Sequence, residues 1–172
     1  GYAYLSSVAE LEPNGPEEAQ ALSLIRDWDL HTDTANRNAA LGVCILLEEW
    51  QAERTGNALP DARETLQTCM ESVRDVAGRL DPEWGTLQQH GRGQRSWPAA
   101  GGPDTLRAMY AERLEDEDDF LTVVAGDGLY YLIEWNAEGE QTIRGTHQYG
   151  SQMIDESSPH YLDRLSPSHR KS

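Results

Sequence analysis

Leu66, Cys69, Met70, Val73, Val76 and Leu80 recur at intervals of three and four residues, and this spacing constrains the fold more than any other feature of the chain. Side chains so placed fall on one stripe of an α-helix, and the stripe must be covered by another element. Boundary signals bracket it. Pro60-Asp61 opens the helix, with Asp61 and Glu64 as a capping-box-like pair, and Asp81-Pro82 closes it. Ala40, Val43, Leu47 and Trp50 form a second stripe with Cys44 beside it, started by a cap at Asp33 or Thr34 and ended by Gly56-Asn57. Two long antiparallel helices joined by a short turn are therefore expected. A shorter helix should precede them, opened by Pro16 with Glu17 and Glu18 at its positive end, carrying Leu22, Ile25 and Trp28, and finishing near Asp29. Gly1 to Gly15 carry little pattern.

Beyond the helices the period changes. Gly85, Gly91, Gly93, Gly101 and Gly102, with Trp97-Pro98, read as extended chain with tight turns rather than helix. Asp104 either caps a short helical segment reaching Tyr110 or that stretch is a strand. Phe120 to Ala125, Leu129 to Trp135 and Gln141 to Tyr149 read as strands, separated by turns at Gly126-Asp127-Gly128 and at Asn136 to Glu140. The expectation is an α+β chain in a single domain or fragment. Residues 16–81 form its helical part and 82–119 a Gly/Pro-rich connection with an acidic loop. Residues 120–165 form a three-stranded antiparallel meander with a C-terminal turn, and the tail from Ser166 is polar.

With 172 residues, the chain is long enough for one domain with a real core. Its aromatics are one Phe against five Trp and seven Tyr, residues suited to half-buried surfaces. Two readings stay open: a face meant to dock on something else, or an ordinary small domain with wet aromatics. A formal net charge of -16 repels phosphate backbones and anionic membranes, so nucleic acid and membrane surfaces are not expected partners. No apolar run approaches the length of a membrane span and no signal-peptide pattern is present. Cys44 and Cys69, both on apolar helix faces, read first as small core residues, with a bridge between the two helices as the lesser alternative.

Candidate chemistry is sparse. Ser157, His160 and Asp163 make a triad on paper, and His147 adds a possible metal ligand. Yet no strained nucleophile elbow precedes Ser157, and the spacing dictates no third ligand. The Ser157-Ser-Pro-His-Tyr161 segment reads better as a turn pinned by hydrogen bonds. Gly101-Gly-Pro-Asp104 lacks the Lys-Ser/Thr of a phosphate loop. The acidic run Glu115 to Asp119 lacks the alternating ligands and Gly of a calcium loop, and Glu48-Glu49 lies on a solvated helix face. No catalytic, cofactor-binding or metal-binding residue is assigned.

Several segments together resemble a known family. Trp28-Asp-Leu-His-Thr-Asp33 followed by Asn36-Arg-Asn-Ala-Ala-Leu41 is similar to a helix entry of the penicillin acylase group, N-terminal-nucleophile hydrolases that include acyl-homoserine-lactone and aculeacin-type acylases. Arg92-Gly93, then Pro98 to Leu106, resembles the family's passage through a proline into a Gly-Gly…Asp-Thr-Leu segment. Gly126-Asp127-Gly128, Tyr149-Gly-Ser151 and Ser157-Ser-Pro-His-Tyr-Leu-Asp163 resemble its closing strands and ending, although Arg164 and Leu165 stand where the family continues with Gln and an apolar residue.

The resemblance implies a precursor that cuts itself to free an N-terminal Ser. That Ser attacks an amide carbonyl with its own α-amine as base, while an Asn and backbone N–H groups hold the oxyanion. Those residues, and the family's calcium ligands, precede the matched segments, and Gly1 has no side-chain nucleophile. The chain is then expected to be the C-terminal part of the large (beta) subunit, inactive alone and without cofactor. Its strands would belong to a layered αββα core. The partners implied are the remainder of the precursor or its small subunit, with a homodimer possible for the isolated fragment. The compartment implied is the periplasm or exterior. The alternative is a non-enzymatic interaction module on an acylase-derived scaffold.

Overall fold

The computed structural model describes residues 2–92, 95–103, 105, 107–126, 130–146 and 157–159. The chain divides into two compact units, Gly1–Ala125 and Gly126–Ser172. It is a mixed α and β protein, as the change of period required.

The first unit is built around α3, Ala39–Thr55. Ala39 to Val43 are buried at every position, so this half of the helix is surrounded, and α1, α2, α4 and α5 all pack on it or its neighbours. The helix α4, Ala62–Ala77, starts as expected: the Asp61 carboxylate accepts from the backbone N–H groups of Arg63 and Glu64 at 3.0 and 3.1 Å. Leu66, Cys69, Met70 and Val73 are buried along its stripe. It stops earlier than the Asp81-Pro82 signal, because Gly78 turns left-handed (φ 69°) and closes the helix first. The helix α2, Pro16–Arg26, likewise stops before Asp29. Arg26 then donates to the carbonyls of Ala9 and Leu11 at 2.7 and 3.0 Å, tying the preceding loop down.

Three expectations are corrected in this unit. Residues 3–9, which carry little pattern, form the helix α1, Ala3–Ala9. Seven residues are too few to hold a helix by themselves, so burial of Tyr4, Leu5 and Val8 against the other helices decides it. The cap of α3 is not Asp33 or Thr34, since Asn38 occupies that position and residues 27–38 form an irregular loop. Cys44 and Cys69 are bridged, joining α3 to α4 across 25 positions of sequence with their Cα atoms 5.8 Å apart. Cys69 lies within the apolar cluster and the partly buried Cys44 packs against it, so the packing of these helix faces is also what brings the sulfurs together. Closing a loop of that length removes unfolded-state entropy worth about 3 kcal/mol.

The Gly/Pro-rich connection is more ordered than its composition suggests. It holds a short helix α5, Trp84–Leu87, and the strands β1, Gln88–Arg92, and β2, Arg95–Pro98, paired antiparallel. Met109–Glu112 is the strand β3, so the strand alternative holds there, and β4 is Leu121–Gly126. These four strands form one sheet in the order β2-β1-β4-β3.

That order corrects the three-stranded meander. β4 runs parallel to β1, with Gln88 opposite Leu121 and Gln89 opposite Thr122. Leu121 packs against the apolar cluster of the helices, and this long-range burial outweighs the local pairing that a Gly-Asp-Gly turn favours. The antiparallel pair that remains is β5, Tyr130–Trp135, with β6, Gln141–Thr146, in the second unit. Its turn is set by Asn136, whose Oδ1 accepts from the N–H groups of Glu138 and Glu140 at 3.1 and 2.8 Å, and by Gly139 in a left-handed conformation (φ 82°). The Gly126-Asp127-Gly128 turn, apart from Gly126, and the strand extension to Tyr149 lie outside the described residues.

Candidate functional site

The densest polar organisation in the first unit joins two stretches far apart in sequence, residues 27–38 and 84–109. The loop after α2 is knitted internally first. Asp29 Oδ1 accepts from the His31 backbone N–H at 3.0 Å and from Asn36 Nδ2 at 2.9 Å. The His31 carbonyl accepts from Trp28 Nε1 at 2.8 Å and from the same Asn36 amide at 3.0 Å. Leu30, between these anchors, is held in a left-handed conformation (φ 64°) that an L side chain rarely adopts. The Trp28 ring lies over Gly42 so closely that a Cβ on that residue would overlap it. Only glycine lets the loop settle on α3 at this point.

The loop is then stitched to the second stretch through backbone. Trp84 donates its N–H to the Asn36 carbonyl at 2.9 Å, Gly85 to Thr34 at 2.8 Å, and Gly101 to Thr32 at 3.2 Å. The Gly101 carbonyl is a hub, accepting from Trp84 Nε1 at 2.8 Å and from Gln88 Nε2 at 3.1 Å. Gln88, 1% exposed, also donates to Ala99 at 3.2 Å. Gly101 has φ 95° and packs against the Arg107 carbonyl, so both its conformation and its space exclude a side chain. Thr105 Oγ1 lies 2.9 and 2.7 Å from the carbonyls of Gly102 and Arg107 and closes the turn. The Gly101-Gly-Pro103 segment is thus a buried structural turn with its carbonyls inward. It offers no nest of N–H groups for a phosphate, in line with the sequence reading, and Asp104 lies outside the described residues.

Asp29 and His31 lie on the exposed side of this assembly. The Asp29 carboxyl is held below the usual carboxylate range, first by the His31 backbone N–H and then by the Asn36 amide, against an opposing effect of desolvation. His31 Nδ1 stands 3.6 Å from Asp29 Oδ2, with the imidazole side chain 71% exposed. A water-filled setting of that kind gives neither the dry surroundings nor the positioned third group that nucleophilic catalysis needs. Sequence reasoning passed over this pair; its signal is the Asp-x-His spacing, in which a carboxylate caps the N–H two residues on.

The remaining candidates fare as follows. Ser157 is described, whereas His147, His160 and Asp163 lie outside the described residues, so no geometry joins them. The acidic run forms an exposed turn in which the Asp118 carboxylate accepts the Glu115 N–H at 3.2 Å and Arg113 Nε donates to the Asp118 carbonyl at 2.9 Å. Glu48 and Glu49 are half-buried rather than fully solvated. Among the described residues, no group of three or more His, Cys, Asp or Glu stands close enough to hold a metal ion. A shallow depression of about 450 Å³ lies between α2 and α4. Its charges are already matched, Arg74 with Glu17 and Arg79 with Asp81. The Asp81 carboxyl is lowered first by its hydrogen bond from Arg79. No described helix is long and apolar enough to cross a membrane, and the disulfide is compatible with folding outside a reducing cytosol.

No family model matches the chain, and no curated protein matches it.

Proposed function

We propose that this chain is the C-terminal part of the large subunit of a penicillin-acylase-type amide hydrolase, a scaffold that supports a reaction centre carried by preceding sequence. The observation that carries the reading is the stitching described above. Two of the segments that carry the resemblance, Trp28 to Asp33 and Pro98 to Leu106, are joined by the Gly101 N–H donating to the Thr32 carbonyl, and the neighbouring Trp84 and Gly85 donate to the Asn36 and Thr34 carbonyls. Residues of those segments are employed in holding backbone together: Trp28 through its indole N–H, Asn36 through its amide and Gly101 through its lack of a side chain, with Trp84 and Gly42 beside them acting in the same way. In this reading β4 to β6 are contributions to a layered αββα core, the parent acts on N-acyl amides, and the disulfide suits a periplasmic or secreted enzyme. The remaining partner is the rest of the precursor.

The test is expression of the whole reading frame that contains this chain. Two subunits are expected, the larger beginning with Ser and containing this sequence, and replacing that Ser by Ala should abolish both self-cleavage and hydrolysis of a chromogenic penicillin analogue. A single uncut polypeptide lacking such a Ser would overturn the reading. That outcome would favour the second reading, a non-enzymatic interaction module. The exposed Tyr131, Ile133, Trp135 and Ile143 of the hairpin argue for this module.

A further inference from the structure

Of the five asparagines in the chain, Asn14 alone is followed by glycine. The structure also separates it from the others. The Asn36 amide donates to Asp29 and to the His31 carbonyl, and the Asn38 amide donates to the Asp27 carbonyl. The Asn136 side chain is bonded through both its amide and its carbonyl. Asn57 has no side-chain hydrogen bond among the described residues, but Ala58 follows it and puts a Cβ beside the next backbone nitrogen. Asn14 lies exposed in the loop between α1 and α2, and among the described residues its carboxamide makes no hydrogen bond. The Gly15 N–H makes none there either. Apart from its chain neighbours, nothing lies within 4 Å of where a Cβ on Gly15 would stand.

We propose that Asn14 is a site of spontaneous deamidation and that its isoaspartyl product loosens the start of α2. The Gly15 backbone nitrogen attacks the Asn14 Cγ. The new C–N bond closes a succinimide ring, the Cγ–Nδ2 bond breaks, and the Gly15 N–H proton leaves with the side-chain nitrogen as ammonia. Water then opens the ring at either carbonyl and gives aspartate or isoaspartate. Glycine suits the attack because it leaves the nitrogen unshielded and lets the backbone turn toward the side chain. In isoaspartate the chain runs through Cβ and Cγ, so the backbone gains a carbon. That carbon enters between two bonds that fix the loop: Asn14 N–H to Glu18 Oε2 at 2.9 Å, and Ala19 N–H to the Gly15 carbonyl at 3.0 Å. Glu18 is also the carboxylate that pairs with Arg63 of α4 at 2.6 Å, so the change reaches the loop's attachment to that helix. The chemistry does not depend on the acylase reading.

Ageing of the intact full chain at mildly alkaline pH, followed by peptide mass mapping, tests it. The peptide containing Asn14 should exchange NH for O and yield both isoaspartate and aspartate, while the peptides of Asn36, Asn38 and Asn136 stay unchanged. An unmodified Asn14, or conversion of those other asparagines at the same rate, would overturn the proposal. Aspartate without isoaspartate would overturn it too, since direct hydrolysis passes through no succinimide. Gly15→Ala should slow the conversion at least about tenfold by shielding the nitrogen. The extended backbone at Gly15 and the open space around it accept the new Cβ, so this variant keeps the fold. An equal rate in the variant rules out the route through Gly15. Amide exchange at Ala19 should rise about tenfold in the isoaspartyl form, and unchanged exchange there would refute the loosening of α2.

Discussion

The helix α4 and the β5–β6 hairpin are both amphipathic by sequence, yet they end in opposite circumstances. On α4 the residues Leu66, Cys69, Met70 and Val73 are buried by neighbouring helices, and the disulfide fastens the helix to α3. On the hairpin Tyr131, Leu132, Ile133, Trp135 and Ile143 are all exposed. An apolar stripe states that a partner is required without saying which element supplies it. α4 meets its partner within 25 residues, where helix packing is cheap in loop-closure entropy. The hairpin's strands pair with each other, which satisfies backbone N–H and C=O groups but covers no face.

The contrast can be broken by paired truncations. Leu66→Ala removes a fully buried side chain and should cost about 2–5 kcal/mol in chemical denaturation. Ile143→Ala on the exposed hairpin should cost less than about 0.5 kcal/mol in the same experiment. A loss at Ile143 as large as that at Leu66 would mean that the hairpin face is buried in solution. Replacing Cys44 and Cys69 together by Ala should lower stability by about 3 kcal/mol, read as a shift of the helical unfolding transition. Hairpin amide exchange should be untouched, and a matching change there would show the two units to unfold as one.

The smallest expected effect is electrostatic. Glu18, Asp29 and Asp81 all have carboxyls held below their ordinary range: Glu18 first by the Asn14 backbone N–H, Asp29 by that of His31, Asp81 by the Arg79 side chain. A group whose folded pKa is depressed contributes stability above its unfolded value, near pH 4, and that contribution is lost as pH falls through the folded value. Stability of the helical unit should therefore decline as pH drops below about 4, and Asp81→Asn should flatten the decline. The Asp29 carboxyl is largely exposed whereas those of Glu18 and Asp81 are partly buried, so the Asp29 share of the slope should be the most salt-sensitive. An acid limb as steep after Asp81→Asn as before would assign it elsewhere.

What was legible and what was not separates along physical lines. The start of α2 at Pro16, the Asp61 cap, the Gly56 stop and the Asn136 turn were readable because each rests on bonds within a few residues. The helix α1, the parallel pairing of β4 with β1, and the bridge between Cys44 and Cys69 were not, since each depends on residues brought together from a distance. The hub at Gly101 belongs to the second group too. Its glycines announced a turn, but nothing local announced that Trp84 and Gln88 would converge on one carbonyl. Trp28, Asn36 and Gly101 fall in segments that carry the resemblance, and nothing local in them announced the hydrogen bonds that hold these stretches together.

By itself the sequence determined periods, caps and charge: where most helices and strands form, which faces are apolar, and that the chain is strongly acidic. Tertiary structure alone decided which faces meet. Periodicity is a local property of the chain, whereas the pairing of β4 with β1, the seating of Trp28 on Gly42 and the closing of the disulfide are gained only when remote segments share one core.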